Sequence, residues 1–146
     1  MAGGHLRAVV TAVALLAATA ISPVAQAAQL EVIVTGLRSS QGNVHIAVYD
    51  NPETFPDSDG MLVEEEVPIA EAVARKTFAG LKPGRFAVAV YHDENDNDDF
   101  DQGFLGIPLE DYAFSSGARA FLGPPSFAEA AFAVDGDTTV RILIDP

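Results

Sequence analysis

Hydrophobic side chains recur at every second position in three stretches of the chain. Leu30, Val32 and Val34 alternate with Glu31, Ile33 and Thr35; Val44, Ile46 and Val48 alternate with His45, Ala47 and Tyr49; Phe86, Val88 and Val90 alternate with Arg85, Ala87 and Ala89. A period of two lines one face of a pleated strand, so each stretch predicts a half-buried β-strand. Residues 74–78 and 138–144 predict two more from their β-branched or aromatic content, the second introduced by the turn Asp135-Gly136-Asp137. Residues 64–74 and 126–131 predict short helices. The expected class is mainly β, an antiparallel sandwich of two sheets with one or two short helices.

The turn residues divide the chain at the same places. Ser39-Ser40-Gln41-Gly42-Asn43 is a hairpin-sized connector, and Lys82-Pro83-Gly84 stands just before the Phe86 strand, with Pro presetting φ and Gly supplying the permissive position. Residues 51–60 form a polar, Pro-containing loop. Residues 103–127 combine breakers with Phe104, Tyr112, Phe114, Phe121 and Phe127, five of the 12 aromatics. Loops longer than about 12–15 residues are usually functional or disordered, and the aromatics argue against disorder. Two expectations follow: these rings cap an open end of the sandwich, or they form a ligand surface.

The N-terminus differs in kind. His5 and Arg7 precede an apolar run over residues 8–21, then Ser22-Pro23 and the small-residue pattern Ala25-Gln26-Ala27. This layout predicts a secretory signal peptide over residues 1–27, leaving residues 28–146 as a single β-sandwich domain in the periplasm or outside the cell. A membrane anchor is the alternative. The run is short of the roughly 20 residues a spanning helix needs, and no basic stop-transfer cluster follows. Removing this segment takes away one of the 8 basic side chains and none of the 21 acidic ones, so the net charge of −13 becomes more negative. Such a charge excludes a nucleic-acid partner, which requires clustered Lys and Arg. The absence of cysteine excludes a disulfide scaffold, a thiol nucleophile, cysteine zinc sites, iron–sulfur ligation and a cysteine-linked lipid.

The acidic residues concentrate where the Phe86 strand ends. Asp93-Glu94-Asn95-Asp96-Asn97-Asp98-Asp99-Phe100-Asp101 holds six carboxylates in nine residues. Two such charges about 7 Å apart repel by roughly 0.6 kcal/mol in water, so a compact loop of six accumulates a few kcal/mol at low salt. A hard divalent cation reverses that balance. Asp93, Asn95 and Asn97 stand at relative positions 1, 3 and 5 of a calcium loop, Asp99 at 7 offers a backbone carbonyl, and Asp101 stands at 9. Phe100 at 8 is expected to pin the loop to the core. Position 6, usually Gly, is Asp98, and position 12, usually Glu, is Phe104. The expected Ca2+ site is therefore a strand-borne loop rather than a helix-flanked EF-hand, completed by water, backbone or a distant Glu110 or Asp111. Magnesium is less favoured because it requires a stricter octahedron.

The stretch Phe78-Ala79-Gly80-Leu81-Lys82-Pro83-Gly84-Arg85-Phe86-Ala87-Val88-Ala89-Val90-Tyr91-His92-Asp93-Glu94-Asn95 is followed by Gly106-Ile107-Pro108, Tyr112, Phe114-Ser115 and Gly123-Pro124-Pro125-Ser126-Phe127. In this order the motifs resemble the bacterial secreted family catalogued as domain of unknown function 2141, over nearly all of residues 28–146. The family's loop looks like His-Asp-Glu-Asn followed by Gly-containing residues and a later Asp, so Asp96 and Asp98 stand where Gly is common. The Gly-Leu-x-Pro-Gly-x-aromatic lead-in to the strand is also similar to transthyretin-like and carboxypeptidase-regulatory-like modules. The resemblance implies an immunoglobulin- or transthyretin-like sandwich and leaves the activity open.

For catalysis, the candidate is His92, of the same strand parity as Val88 and Val90, acting with a neighbouring carboxylate as a hydrolase base. Against it, the chain has no Gly-x-Ser-x-Gly elbow, and Ser115, Ser116 and Ser126 have no paired base in view. The alternative for His92 is a rim histidine hydrogen-bonded to loop backbone. The sequence favours an exported, non-catalytic binding or structural module with a protein, peptide or saccharide partner.

Overall fold

The computed structural model describes residue 1 and residues 27–145. All five predicted strands are present: within β1 (Ala28–Thr35), β2 (Asn43–Tyr49), β4 (Ala74–Leu81), β5 (Gly84–Asp93) and β8 (Thr138–Leu143). Three further strands, β3 (Val63–Pro68), β6 (Tyr112–Phe114) and β7 (Phe132–Val134), the single turn of helix α1 (Phe127–Ala130) and three 3-10 turns at Ser58–Gly60, Phe104–Gly106 and Ser115–Gly117 complete the described elements. The signal-peptide expectation falls on residues 1–27, and of these 2–26 lie outside the described residues.

Among the described residues the strands form two sheets. One runs β4-β1-β8; the other runs β3-β2-β5-β6, with β7 also on β5. The expected wholly antiparallel arrangement needs one correction, because β8 lies parallel to β1, with Val32 opposite Val140. The turn at residues 135–137 carries the chain from β7, on the larger sheet, to the edge of the smaller one, and it arrives running in the direction of β1.

The period-two pattern finds its partner between the sheets. Leu30, Val32 and Val34 of β1 meet Val44, Ile46 and Val48 of β2 and Phe86, Val88 and Val90 of β5, closed by Ala74, Phe78, Ile142 and Ile144, and all are buried. Each such side chain withdrawn from water contributes about 1.5–3 kcal/mol, which makes this register strongly preferred over a one-residue slip.

The helix expected over residues 64–74 is instead β3 followed by a turn. Pro68 would fall in the interior of that helix, where its ring strikes the carbonyl four residues back and its missing N–H breaks the ladder. As a strand, the segment buries Val67 and half-buries Val63 and Glu65, while Glu64 and Glu66 face the other way. Glu71 and Ala72, at φ +52° and +60°, then turn the chain into β4. The second expected helix, at 126–131, forms as α1. Its first turn is closed by the Glu129 carboxylate, which accepts the Ser126 N–H at 2.8 Å and hydroxyl at 2.7 Å.

The outer face of the larger sheet carries a second apolar layer. Ala47 and Ala87, both buried, leave space over β2 and β5 that Phe127 and Ala130 fill together with Phe55, Phe114 and Met61. From Phe55 the rings continue edge to face through Phe114 and Tyr112 to Phe100, and Phe100 meets Tyr91 at a tilt of 56°, with centroids 5.3–5.8 Å apart. The excursion 103–127 therefore divides. Tyr112, Phe114 and Phe127 cover the sheet, whereas Phe104 and Phe121 are 85% and 86% exposed beside exposed Leu105 and Leu122. Among the described residues no helix is long and apolar enough to cross a membrane.

Candidate metal centre

The acidic loop folds back on its own first residue. Asp93, the last residue of β5, is fully buried; its Oδ1 accepts the N–H of Asn97 at 3.2 Å and its Oδ2 that of Asp98 at 2.8 Å. Burial alone would raise the Asp93 carboxyl, but the N–H groups of Asp98, Asn97 and Asp96 outweigh it and hold the pKa below the usual carboxylate value. Asp96 and Asp98 take left-handed backbone at φ +58° and +63°, the conformation expected at position 6 and one that Asp tolerates better than most residues.

Above this turn three of the expected ligands meet. The Asn95 amide lies 2.7 Å from Asp101 Oδ2, and the Asn97 amide lies 3.2 and 3.3 Å from the two Asp101 oxygens. Asn97 Oδ1 also accepts the Asp99 N–H at 3.0 Å. Asp93 does not project into this cluster with a free carboxylate, since both oxygens receive backbone N–H groups, and the Asp99 side chain is exposed. Phe100 pins the loop as expected. Its anchor is the outer aromatic layer, between Tyr91 and Tyr112, rather than the core between the sheets.

Of the two distant candidates, Glu110 reaches the loop and Asp111 does not. Glu110 Oε2 accepts the Asp101 N–H at 3.1 Å, while its Oε1 is buried with no partner. Burial raises the Glu110 pKa; the Asp101 N–H works against this, and the charges of Asp93 and Asp101 add to it. Asp111 is held in a two-pronged ion pair by Arg38.

His92 takes the rim position, with Nε2 2.8 Å from the Gln41 carbonyl. The recess beside it, lined by Arg38, Glu94, Glu110 and Asp111, measures about 30 Å³, room for about one water. The three serines have structural duties: Ser115 and Ser116 bond the Ala130 carbonyl, and Ser126 caps α1.

The histidine that meets carboxylates is His45. Cross-strand register pairs it with Glu66 on β3 and Tyr91 on β5, and sets Glu64 one pair further along the same face. Its ring stacks on Tyr91 at 4.6 Å and 10°. Nδ1 lies 3.3 Å from Glu64, and Nε2 lies 3.6 Å from Asp93 and 3.9 Å from Asp98. Sequence reading missed this group because it placed Glu64–Glu66 on a helix. The available signal was the alternation Val63-Glu64-Glu65-Glu66-Val67 ahead of Pro68.

No curated protein and no solved structure matches the chain. The order of strands, the Gly-Leu-x-Pro-Gly lead-in to β5 and the loop that follows it lie within residues 32–142, which match one family over most of the chain; the protein belongs to the family described as "uncharacterized protein conserved in bacteria", DUF2141.

Proposed function

We propose that this chain is an exported, non-catalytic binding or structural module whose loop 93–101 closes around Ca2+. The observation that carries the reading is the convergence of the Asn95 and Asn97 side chains on Asp101, each within 3.3 Å of its carboxylate. A half-turn of the Asn95 amide exchanges its nitrogen for its oxygen at the same place, and a half-turn of Asn97 that gives up the Asp99 N–H does the same, leaving an all-oxygen set of the kind calcium requires. Asp93 shapes the loop through its two N–H contacts and retains lone pairs for the ion, Asp99 supplies its carbonyl, and the unpartnered Oε1 of Glu110 is the nearby anionic reserve. Export rests on the N-terminal pattern of residues 1–27.

Ion binding connects to an exposed surface through Asp101. Its N–H bonds Glu110 and its carbonyl accepts the Leu109 N–H at 2.9 Å. Between these contacts the chain makes a closed loop that presents Phe104, Leu105, Ile107 and Leu109, all exposed. Fixing Asp101 therefore fixes the base of an apolar tip suited to a protein, peptide or saccharide partner.

Calorimetric titration with calcium and magnesium tests the reading. Calcium at about 100 times its Kd should add about 2.7 kcal/mol of stability, raise Tm and protect residues 93–127 from protease, and Asp101→Ala should abolish all three effects. An unchanged Tm at millimolar calcium would overturn it.

A further inference from the structure

We propose that His45, Glu66 and Asp98 form a second ion site, for a divalent transition metal of the zinc type, which borrows Asp98 from the acidic loop but none of the groups assigned to calcium. A ring nitrogen of His45 and one carboxylate oxygen each from Glu66 and Asp98 lie within 4.8 Å of one another. Ligands around tetrahedral zinc, bonded at about 2.0–2.1 Å, stand about 3.4 Å apart. Closing the set therefore takes side-chain shifts on the order of 1 Å, and Asp98, with a side chain 73% exposed, is free to make them.

The independent sign of a ligand is the imidazole itself. The His45 side chain is only 8% exposed, and its Nε2 has no hydrogen-bond partner. Carboxylates only accept hydrogen bonds, and Glu64 at 3.3 Å is the one within reach of the ring, so its contact favours the tautomer with the proton on Nδ1. The Nε2 lone pair is then turned toward Asp98 and Asp93 at distances too long for a hydrogen bond. A buried lone pair facing two anions is unfavourable as it stands, and a cation between them removes the conflict. Carboxylate on one imidazole nitrogen with metal on the other is the arrangement that orients histidine ligands and strengthens their basicity.

Neighbouring groups hold the set in place. Tyr91 fixes the ring plane by stacking. The Asn43 amide donates to Glu66 Oε1 at 2.5 Å and to Asp96 Oδ1 at 2.7 Å, tying β3 to the acidic loop and leaving the second Glu66 oxygen for the ion. A nitrogen ligand separates the two sites by chemistry, because calcium takes oxygen donors whereas imidazole with carboxylates suits zinc and its neighbours. Three protein ligands leave a fourth position for water or a partner's group.

The test is calorimetric titration of the purified protein with Zn2+ in saturating Ca2+, with Co2+ as a spectroscopic substitute. The expected result is one Zn2+ per chain. Glu66→Gln and Asp98→Asn should each weaken binding about 100-fold, and Glu64→Gln about tenfold, while Asp101→Ala should leave zinc binding unchanged. Asp98→Asn alters an exposed side chain and keeps the test available if changes at His45 impair folding. Zinc binding equal in the wild type and Asp98→Asn, no binding at 100 µM, or loss of both ions in Asp101→Ala would each overturn the proposal. Zinc binding without calcium binding would sink the calcium reading and leave this one standing.

Discussion

The Ser115 hydroxyl accepts the backbone N–H of Val88 at 2.9 Å and donates to the Ala130 carbonyl at 2.7 Å. Along β5, pairing with β7 ends at Phe86 and pairing with β6 begins at Ala89. The serine thus fills the gap between the two strands that share this edge. Ser115→Ala strands the buried Val88 N–H, while the Ala130 carbonyl keeps the Ser116 hydroxyl at 3.0 Å, and should cost about 1–3 kcal/mol in urea unfolding. Ser116→Ala, at an exposed neighbour, should stay within about 0.5 kcal/mol. Equal effects would show that the hydroxyl does not complete the ladder.

Gly42 seats the β1–β2 turn directly on the acidic loop. It has φ +64°, and a Cβ there would lie 1.8 Å from the Asp93 carbonyl oxygen and 2.9 Å from the Glu94 Cα. Gly80 has φ +78° with nothing within 4 Å of its Cβ position. Gly80→Ala should therefore cost about 1–2 kcal/mol, the backbone cost alone. Gly42→Ala adds a collision between two main chains, worth roughly another 1–3 kcal/mol, and should displace Asp93 enough to weaken calcium binding. Denaturation midpoints for the two variants, measured with and without calcium, separate the two terms.

Much of this arrangement was legible in the sequence because strand parity is a local property. Leu30, Val44 and Phe86 with their second neighbours announced the inner face, and the spacing of Asn95, Asn97 and Asp101 announced side chains that meet, whereas Asp93 turned inward to the loop backbone. Two things were not legible. Which histidine meets the carboxylates depends on register: His45 meets Glu66 only because β2 pairs with β3, and three consecutive glutamates read as helix formers until Pro68 is weighed. The fate of the aromatics depends on tertiary space. Phe114 and Phe121 sit in similar breaker-rich sequence, yet the room above Ala47 and Ala87 takes the first and leaves the second in solvent.

Tyr49 should make the fold alkali-sensitive. Burial pushes its phenol up to about 12, with the charges of Glu64 and Asp57 adding to the shift, and its hydroxyl donates to the Pro56 carbonyl at 3.1 Å. A folded pKa above the unfolded value of about 10 means the contribution is complete below pH 10 and is lost as pH rises toward 12. The two-unit difference corresponds to about 2–3 kcal/mol. Stability should fall across that window, and Tyr49→Phe should flatten the fall while costing about 1 kcal/mol at neutral pH for the orphaned carbonyl. A wild-type profile level from pH 9 to 12 would contradict the assignment.

Phe100 is the one apolar residue between Asp93 and Asp101, and its ring is held between Tyr91 and Tyr112 at 5.3 and 5.8 Å. It opposes the repulsion of six carboxylates, which acts to splay the loop. Because the ring is half-buried, Phe100→Ala should cost about 1–2 kcal/mol, below the 3–5 typical of a fully buried phenylalanine. The larger consequence is local. Without the anchor, the N–H groups of Asn97 and Asp98 lose their fixed approach to Asp93, so their hydrogen exchange should accelerate more than that of Val44 to Val48 in the adjacent strand. The chain has no tryptophan and three tyrosines, so emission comes from Tyr49, Tyr91 and Tyr112, and its change on removing the Phe100 ring reports on the two that flank it. High salt should restore part of the lost protection by screening the carboxylates. If exchange at Asn97 and Asp98 is unchanged in Phe100→Ala, then Asp93 alone holds the turn closed and the aromatic anchor is dispensable.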